Sequence, residues 1–390
     1  MSDLEKSWKF STKAIHAGNK SDQITGSVSP PIHLTSTFEQ DGVGKDRGYD
    51  YSRVKNPTRE RLEINLAALE NGKYALAFAS GMAATTALFQ LFDAEDNIII
   101  SRNTYGGTYR MAMEVLNRQA LTFNWVDSRD PANIEAAIKP HTKLVYVETP
   151  TNPMLEICDI RAVSEICRRK GILLAVDNTF MSPYGQRPLE YGADVVMHSS
   201  TKYLGGHSDI IGGALITGNK ELHEKLHFIQ KSTGAVPGPF DAWLILRSTK
   251  TLGLRYQQAA DNASKLAPWL SGLKQVQGVI YPGLETHPQH KLAAIQQRTP
   301  RGKSIFGSMI SIYLDSIDTR DRFLKKLKIF TFAESLGGVE SLISVPFAMT
   351  HGAVPVKEKL AMGITETLVR FSIGIEDVED LMQDIKQALE

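Results

Sequence analysis

Between residues 74 and 218 the chain alternates two textures. Short apolar runs recur: YALAFAS (74–80), NIIIS (97–101), LTFNWV (121–126), KLVYVET (143–149), GILLAVDN (171–178), ADVVMHS (193–199) and GGALITG (212–218). Between them lie stretches with helical spacing, among them MAATTALFQLF (82–92), YRMAMEVLNRQ (109–119), PANIEAAIKP (131–140) and IRAVSEICRRKG (160–171). Near-continuous apolar runs predict strands buried on both faces, and their alternation with helices predicts a mostly parallel sheet. A further helix is predicted from Asn56. That residue can cap it, Pro57 suits its first position, Leu62, Leu66 and Leu69 share one face, and Asn71-Gly72 closes it.

Residues 1–55 read differently. GSVSPPIHLTST and DGVGKDRGYDYSRVKNP are rich in Gly, Pro and polar residues with little periodicity, and an irregular segment of this length lies against a surface, such as a neighbouring subunit's. After about residue 250 a long helical text is followed by SMISIYL, FTFAES and TLVRFSIGI among helices, closing with VEDLMQDIKQALE. The expected fold is therefore α/β. A large domain over 56–250 carries a mostly parallel seven-stranded sheet covered by helices, a smaller α+β domain spans 251–390, and an irregular arm covers 1–55.

Composition narrows the function classes. The 390 residues carry 44 basic and 43 acidic side chains, a formal charge of +1. So even a balance argues against a nucleic-acid or membrane-surface protein. No apolar run approaches the ~18 residues of a membrane span, and MSDLEKSWKFSTKAIHAG lacks the apolar core of a signal peptide. Cys158 and Cys167 are the two cysteines, in a stretch that reads as helical. Two thiols build neither a disulfide framework nor a cysteine metal site, which fits a cytoplasmic setting.

In such a sheet, functional groups gather just past the carboxyl ends of strands. Ser80, Gly81, Met82 and Ala83 put small residues at a strand-to-helix junction, where free N–H groups and the helix dipole favour an anion. A ligand-free helix start is the plainer alternative. Asp177 follows an apolar run, and a buried carboxylate needs a cation or hydrogen-bond donors; a structural cap or metal ligand is its alternative. Glu148 and Asn152 flank a proline-bounded turn, for which a structural role is the simpler reading. HSSTKYLGGHSD (198–209) sets Ser199, Thr201 and Lys202 side by side, facing one anion or solvating a turn. His207-Ser208-Asp209 finds no third ligand at motif spacing, so no metal is expected. GVGKDRG spaces its glycines wrongly for a dinucleotide, and no Walker P-loop is present.

Together these sites describe one ligand with a phosphate, a cationic group and an electrophile. Pyridoxal phosphate has all three: a phosphate anchor, a protonated ring nitrogen for Asp177, and an aldehyde for a lysine. A carboxylate–pyridinium pair near ~4 Å at an effective dielectric of ~20 is worth about 4 kcal/mol. That suffices to keep the ring protonated at neutral pH.

The motifs YSRVKNPTR, SGMAA, TYGGTYR, ETPTNP, VDNTF, HSSTKYLGGHSD, AESLGGVESLISVP and VRFSIGIED occur in this order from residue 51 to 377. With them the chain resembles, over nearly its whole length, the cystathionine γ-lyase and γ-synthase group of pyridoxal-phosphate enzymes of fold type I. The resemblance implies that Lys202 bonds the cofactor and moves protons, that Asp177 pairs with the ring nitrogen, and that Tyr105 stacks on the ring and assists proton transfer. It implies Gly81, Met82, Ser199 and Thr201 on the phosphate, with Tyr51 and Arg53 reaching the phosphate of a neighbouring subunit. Arg370 then grips the substrate α-carboxylate bidentately, with Asn152 and Ser335 nearby. A homo-oligomer with shared sites follows, expected as a tetramer built from two dimers.

The resemblance also narrows the reaction. Methionine γ-lyases carry a cysteine where this chain has Gly107, and an apolar residue where it has Glu334. The β-lyase pattern after the tyrosine differs from YGGT. What remains is γ-elimination on cystathionine, a small sulfur amino acid, giving cysteine, 2-oxobutyrate and ammonia. γ-Replacement on an O-acylhomoserine by a γ-synthase is the alternative, and Asp50 before YSR matches that alternative. A catalytically idle homologue serving as a binding protein is the reading from another class.

Overall fold

The computed structural model describes residues 7–352 and 354–390; residues 1–6 of the expected arm lie outside the described residues. Among these residues the apolar runs become β1 (Tyr74–Phe78), β2 (Asn97–Ser101), β3 (Thr122–Val126), β4 (Thr142–Glu148), β5 (Leu173–Asp177), β6 (Val195–His198) and β7 (Gly213–Thr217). They form one seven-stranded sheet in the order β1-β7-β6-β5-β4-β2-β3. Only β7 runs against its neighbours, β1 and β6; the remaining pairs are parallel. The central strands are buried on both faces, because Leu144, Val145, Tyr146, Leu174, Ala175 and Val176 all lie inside.

A second sheet follows: β8 (Val276–Ile280), β9 (Met309–Leu314), β10 (Thr331–Phe332), β11 (Leu342–Ser344) and β12 (Leu368–Ser372), ordered β10-β11-β12-β9-β8. It is antiparallel except between β10 and β11. The helix Leu252–Ser271 packs Ala263, Leu266 and Leu270 against Ile310 and Ile312 of this sheet in one apolar cluster. The architecture is α/β, as the alternation of textures predicts.

Local differences have local causes. Asn56 caps the helix Pro57–Leu69 through hydrogen bonds from the Thr58 and Arg59 amides, and Leu62, Leu66 and Leu69 are buried. The helix ends at Leu69 and Asn71-Gly72 closes it as expected, with Asn71 at a φ of +55° and the Gly72 amide donating to the Ala67 carbonyl at 2.8 Å. Residues 106–119 wind as three pieces, an α-turn over Gly106–Arg110, a wider π-turn over Met111–Val115 and a tight turn over Leu116–Gln119. Asp159 caps the helix Ile160–Lys170, so Cys158 precedes that helix rather than lying in it. Both thiols are buried and free. β8 arises where helix was expected; it is an edge strand interrupted by Gly278, so its apolar periodicity is weak. The arm is not wholly irregular. Its helix Phe10–His16 buries Phe10 and Ala14, in one cluster with Leu62 and Leu66.

One buried carboxylate anchors the segment that leads to Glu334 and Ser335. Asp384, in the closing helix Val378–Leu389, accepts the amides of Lys328 (2.9 Å), Ile329 (2.8 Å) and Phe330 (3.2 Å). Asp384→Ala strands these three donors. It should lower unfolding stability by about 2–4 kcal/mol, and Asp384→Asn by less, as read from urea denaturation midpoints.

Candidate active site

The polar residues at the carboxyl ends of β1, β4, β5 and β6 converge on one cavity of about 240 Å³. At the end of β1, Ser80 caps the helix Gly81–Phe89 by accepting the Ala83 amide at 3.0 Å. That leaves the first-turn amides of Gly81 and Met82 without an intrahelical acceptor. A Cβ on Gly81 would stand 2.9 Å from that of Ser199, so only glycine lets the 199–202 turn close over the helix start. The turn is fastened to the approach to β7. Thr201 Oγ1 donates to the Gly212 carbonyl at 3.2 Å, and the Gly212 amide donates back to it at 3.0 Å.

Two carboxylates stand side by side, since Glu148 of β4 is paired in register with Asp177 of β5. Asp177 is 7% exposed. Its Oδ1 accepts the Thr179 amide at 3.0 Å and its Oδ2 the Tyr146 hydroxyl at 3.1 Å. Burial pushes both acids upward, and for Glu148 the charge of Asp177 adds to it. Glu148 Oε2 accepts the Tyr105 amide at 2.8 Å and the Thr104 hydroxyl at 3.0 Å. Expected as part of a structural turn, Glu148 is instead a buried wall of the cavity that fixes the backbone carrying Tyr105. The Tyr105 ring lines the same cavity and is itself 41% exposed.

The opposite wall comes from the second sheet. Lys202 Nζ donates to Ser335 Oγ at 3.0 Å. Burial, then the Arg370 charge, brings the lysine down to about 8, against the pull of Glu334. Arg370 on β12 is 2% exposed. Its Nη1 donates to Asn152 Oδ1 at 2.8 Å and its Nη2 to the Ser335 carbonyl at 3.1 Å. Its Nε is buried with no hydrogen-bond partner among the described residues. Burial lowers this guanidinium to about 10, which leaves it a cation at neutral pH. Ser335 holds a φ of +99°, a region that costs a non-glycine residue about 1–3 kcal/mol.

The cavity thus gathers Gly81, Met82, Tyr105, Asn152, Asp177, Ser199, Thr201, Lys202, Glu334, Ser335 and Arg370. Tyr51 and Arg53 stand elsewhere. Arg53 Nη1 donates to the Lys231 carbonyl, and its guanidinium lies 5.4 Å over the Tyr51 ring. Sequence reasoning missed Thr85 and Thr179 in the cavity wall and Tyr146 behind it. Thr179 sits two residues beyond Asp177, where its amide could have been expected to turn back on the carboxylate. Tyr146 is one letter in an apolar run and gives no signal. No helix of the described residues is long and apolar enough to cross a membrane.

The family model for the Cys/Met metabolism PLP-dependent enzymes matches residues 11–390. The chain belongs to this family. Its enzymes depend on pyridoxal phosphate and act in cysteine and methionine metabolism. The chain is 50% identical to a cystathionine gamma-lyase of Bacillus subtilis, over 98% of this chain and 99% of that one. It is 48% identical to a cystathionine gamma-synthase of Mycobacterium bovis, over 97% and 96%. It is 47% identical to a cystathionine beta-lyase of Lactococcus lactis, over 97% and 98%. The crystal structure of a cystathionine gamma-lyase from Lactobacillus plantarum complexed with L-serine superposes with a TM-score of 0.93 at 43% identity, covering 98% of each chain. Identity alone does not separate the three reactions, because all three names fall within a few percentage points.

The amine of Lys202 is a nucleophile only when neutral, and its ammonium is half titrated near pH 8. If Lys202 is the lysine that bonds the family's cofactor, cofactor-free protein should capture pyridoxal phosphate covalently at a rate that climbs about tenfold per pH unit below about 8 and levels above it. Stopped-flow absorbance over pH 6–10 checks this. A rate still climbing tenfold per unit beyond pH 9 would return Lys202 to an ordinary solvated lysine.

Proposed function

We propose that this chain is a cystathionine γ-lyase: cystathionine and water give cysteine, 2-oxobutyrate and ammonia. The observation that carries the reading is Glu334. This exposed carboxylate lines the cavity beside Ser335 and within electrostatic reach of Lys202 and Arg370. Cystathionine carries an ammonium at its distal end, and a carboxylate at the mouth favours that charge over an apolar thiomethyl group. Gly107 fits the same reading. A Cβ there would stand 2.4 Å from Tyr105 Cε1, so the glycine leaves the tyrosine ring free to lie where it does.

The residues fit the cofactor. Asp177 is a buried carboxylate short of a cation, which a protonated ring nitrogen supplies. The unpaired amides at Gly81 and Met82, with Ser199 and Thr201, form a cradle for its phosphate, and Lys202 is the amine for its aldehyde. Bound pyridoxal phosphate supplies an electron sink that stabilises a carbanion at the substrate Cα. Arg370 binds the substrate α-carboxylate through its unpartnered Nε and an adjacent nitrogen, oriented by Asn152. Lys202, neutral to a useful extent at physiological pH, takes the proton from Cα. A second proton leaves Cβ, and Tyr105 or Lys202 delivers one to the departing sulfur at Cγ. Such positioned proton transfer contributes on the order of 10²–10⁴-fold.

The arm supports a site shared between two copies. Ile24, Val28, Leu34 and Val43 are 73–104% exposed, an arrangement that suits a segment covering another chain. Tyr51 and Arg53, turned away from their own cavity, then serve the phosphate in the other copy's cavity, and the active unit is at least a dimer. Arg53→Ala should weaken cofactor retention. Hybrids of Arg53→Ala with Lys202→Ala subunits should regain turnover, because each hybrid holds one intact site. Confirmed hybrids without turnover would mean that each site is built from a single chain.

Product analysis tests the reaction itself. Cystathionine should yield cysteine and 2-oxobutyrate, with methionine a poor substrate. Glu334→Val should shift the kcat/KM ratio toward methionine by roughly 5- to 10-fold, about 1 kcal/mol for an exposed charge contact. Homocysteine and pyruvate as main products would mean cleavage at Cβ. Synthesis of cystathionine from O-succinylhomoserine and cysteine, with cystathionine itself left intact, would make the enzyme a γ-synthase. No turnover from cofactor-loaded protein would favour a binding homologue.

A further inference from the structure

Tyr146 is fully buried and lies behind the cavity. It faces Ala175 across the β4–β5 pairing, two positions before the matched pair Glu148 and Asp177. The period of two puts Tyr146 on the same face as both acids, and the small Ala175 leaves its ring room to reach forward. An edge contact with Phe89, centroids 5.3 Å apart at 89°, fixes the ring plane. The hydroxyl donates to Asp177 Oδ2 at 3.1 Å, and the Thr85 side chain hydrogen-bonds the phenol oxygen of Tyr146. Burial and the neighbouring carboxylate hold the phenol well above its ordinary range, so it stays protonated and donates at every working pH.

Asp177 needs that donor. The charge of Asp177 pushes Glu148 on β4 upward, while His198, paired with buried Glu70 at 2.5 Å, attracts the Asp177 charge from β6. Besides Tyr146, the donors to the carboxylate are the Thr179 hydroxyl and amide, both within Asp177's own turn, so Tyr146 is the donor that reaches it from another strand. We propose that Tyr146 is a positioning residue for the cofactor: its hydroxyl fixes the plane of the Asp177 carboxylate and holds it anionic, which keeps the ring nitrogen protonated. This rests on Asp177 serving that nitrogen and is independent of which carbon–sulfur bond is cleaved. A hydrogen bond to a carboxylate favours its charged form. Without it Asp177 becomes more basic, and the proton shared with the ring moves toward the carboxylate.

The test uses holoenzyme loaded with pyridoxal phosphate labelled with ¹⁵N in the ring, whose resonance reports nitrogen protonation directly. Tyr146→Phe should displace the resonance toward the unprotonated pyridine value and speed cofactor release ~10-fold. It should lower kcat ~10-fold while leaving KM within about twofold, the scale of one hydrogen bond to a charged group. Replacing Tyr146 with 3-fluorotyrosine, a stronger donor of nearly equal volume, should move the resonance the opposite way. A Tyr146→Phe enzyme with the wild-type resonance and release rate overturns the proposal. If that variant does not fold, an unmoved resonance in the fluorotyrosine enzyme overturns it instead. Asp177→Asn separates the two levels. A wild-type resonance there would remove Asp177 from the ring nitrogen, whereas a displaced one beside an unaffected Tyr146→Phe enzyme would sink the role of Tyr146 alone.

Discussion

An anionic side chain taken out of water at the end of a parallel strand is the constraint around which this molecule is arranged. Asp177 cannot be stable as a buried charge unless donors and a cation surround it. Its donors come from the Thr179 hydroxyl and amide in its own turn and from Tyr146 of the adjacent strand. Its charge raises the neighbouring Glu148, which accepts from the Tyr105 amide and the Thr104 hydroxyl and holds them in place. The cavity at these strand ends is therefore short of positive charge on its inner wall, which suits a ligand bearing a protonated nitrogen.

The outer wall has the reverse character. Buried Arg370 and half-buried Lys202 come from different elements toward the same space, and the Arg370 charge lowers the proton affinity of the lysine. Separation of sign across a cavity of about 240 Å³ orients any molecule with both charges. The alternation of strand and helix supplies the acids, because only the carboxyl ends of parallel strands open on the cavity. The antiparallel second sheet supplies the guanidinium from the middle of β12, where flanking strands β9 and β11 hold its backbone.

How much of this is legible in the letters depends on the period of the signal. Six of the seven strands of the large sheet stand out because burial on both faces writes them as nearly unbroken apolar text, whereas edge strand β3 is only partly buried. β8 does not, since an edge strand carrying Gly278 has neither alternation nor continuity. Lys202, Asp177 and the Gly81 junction are visible as polar residues in apolar or small-residue surroundings. Glu148 looks like part of a proline-bounded turn until the register with Asp177 shows it to be buried. Tyr146 cannot be found from the chain alone, for its meaning lies in a cross-strand neighbour rather than a sequence neighbour. Asn152 is an intermediate case. Its spacing suggests a turn, the family resemblance puts it near Arg370, and the long-range hydrogen bond from Arg370 joins the two in the cavity.

The joint between the two walls is Ser335. Its side chain accepts from Lys202 and its carbonyl from Arg370, while its own backbone sits at a positive φ. Strain of about 1–3 kcal/mol at such a residue persists only if surrounding contacts over-determine it. Two hydrogen bonds from cations, each worth about 1.5–3 kcal/mol, are enough to do so. One residue thereby sets the distance between the proposed proton-moving amine and the proposed carboxylate grip. This geometry is common to breaking a bond at Cβ or at Cγ, since both begin with the same Cα proton. The choice between them must therefore come from groups farther along the substrate. Among the residues of this cavity, Glu334 is the acid at the mouth, next in the chain to the joint itself. Selectivity proposed at such an outer position is compatible with one scaffold serving relatives named for three different activities at nearly equal identity to this chain.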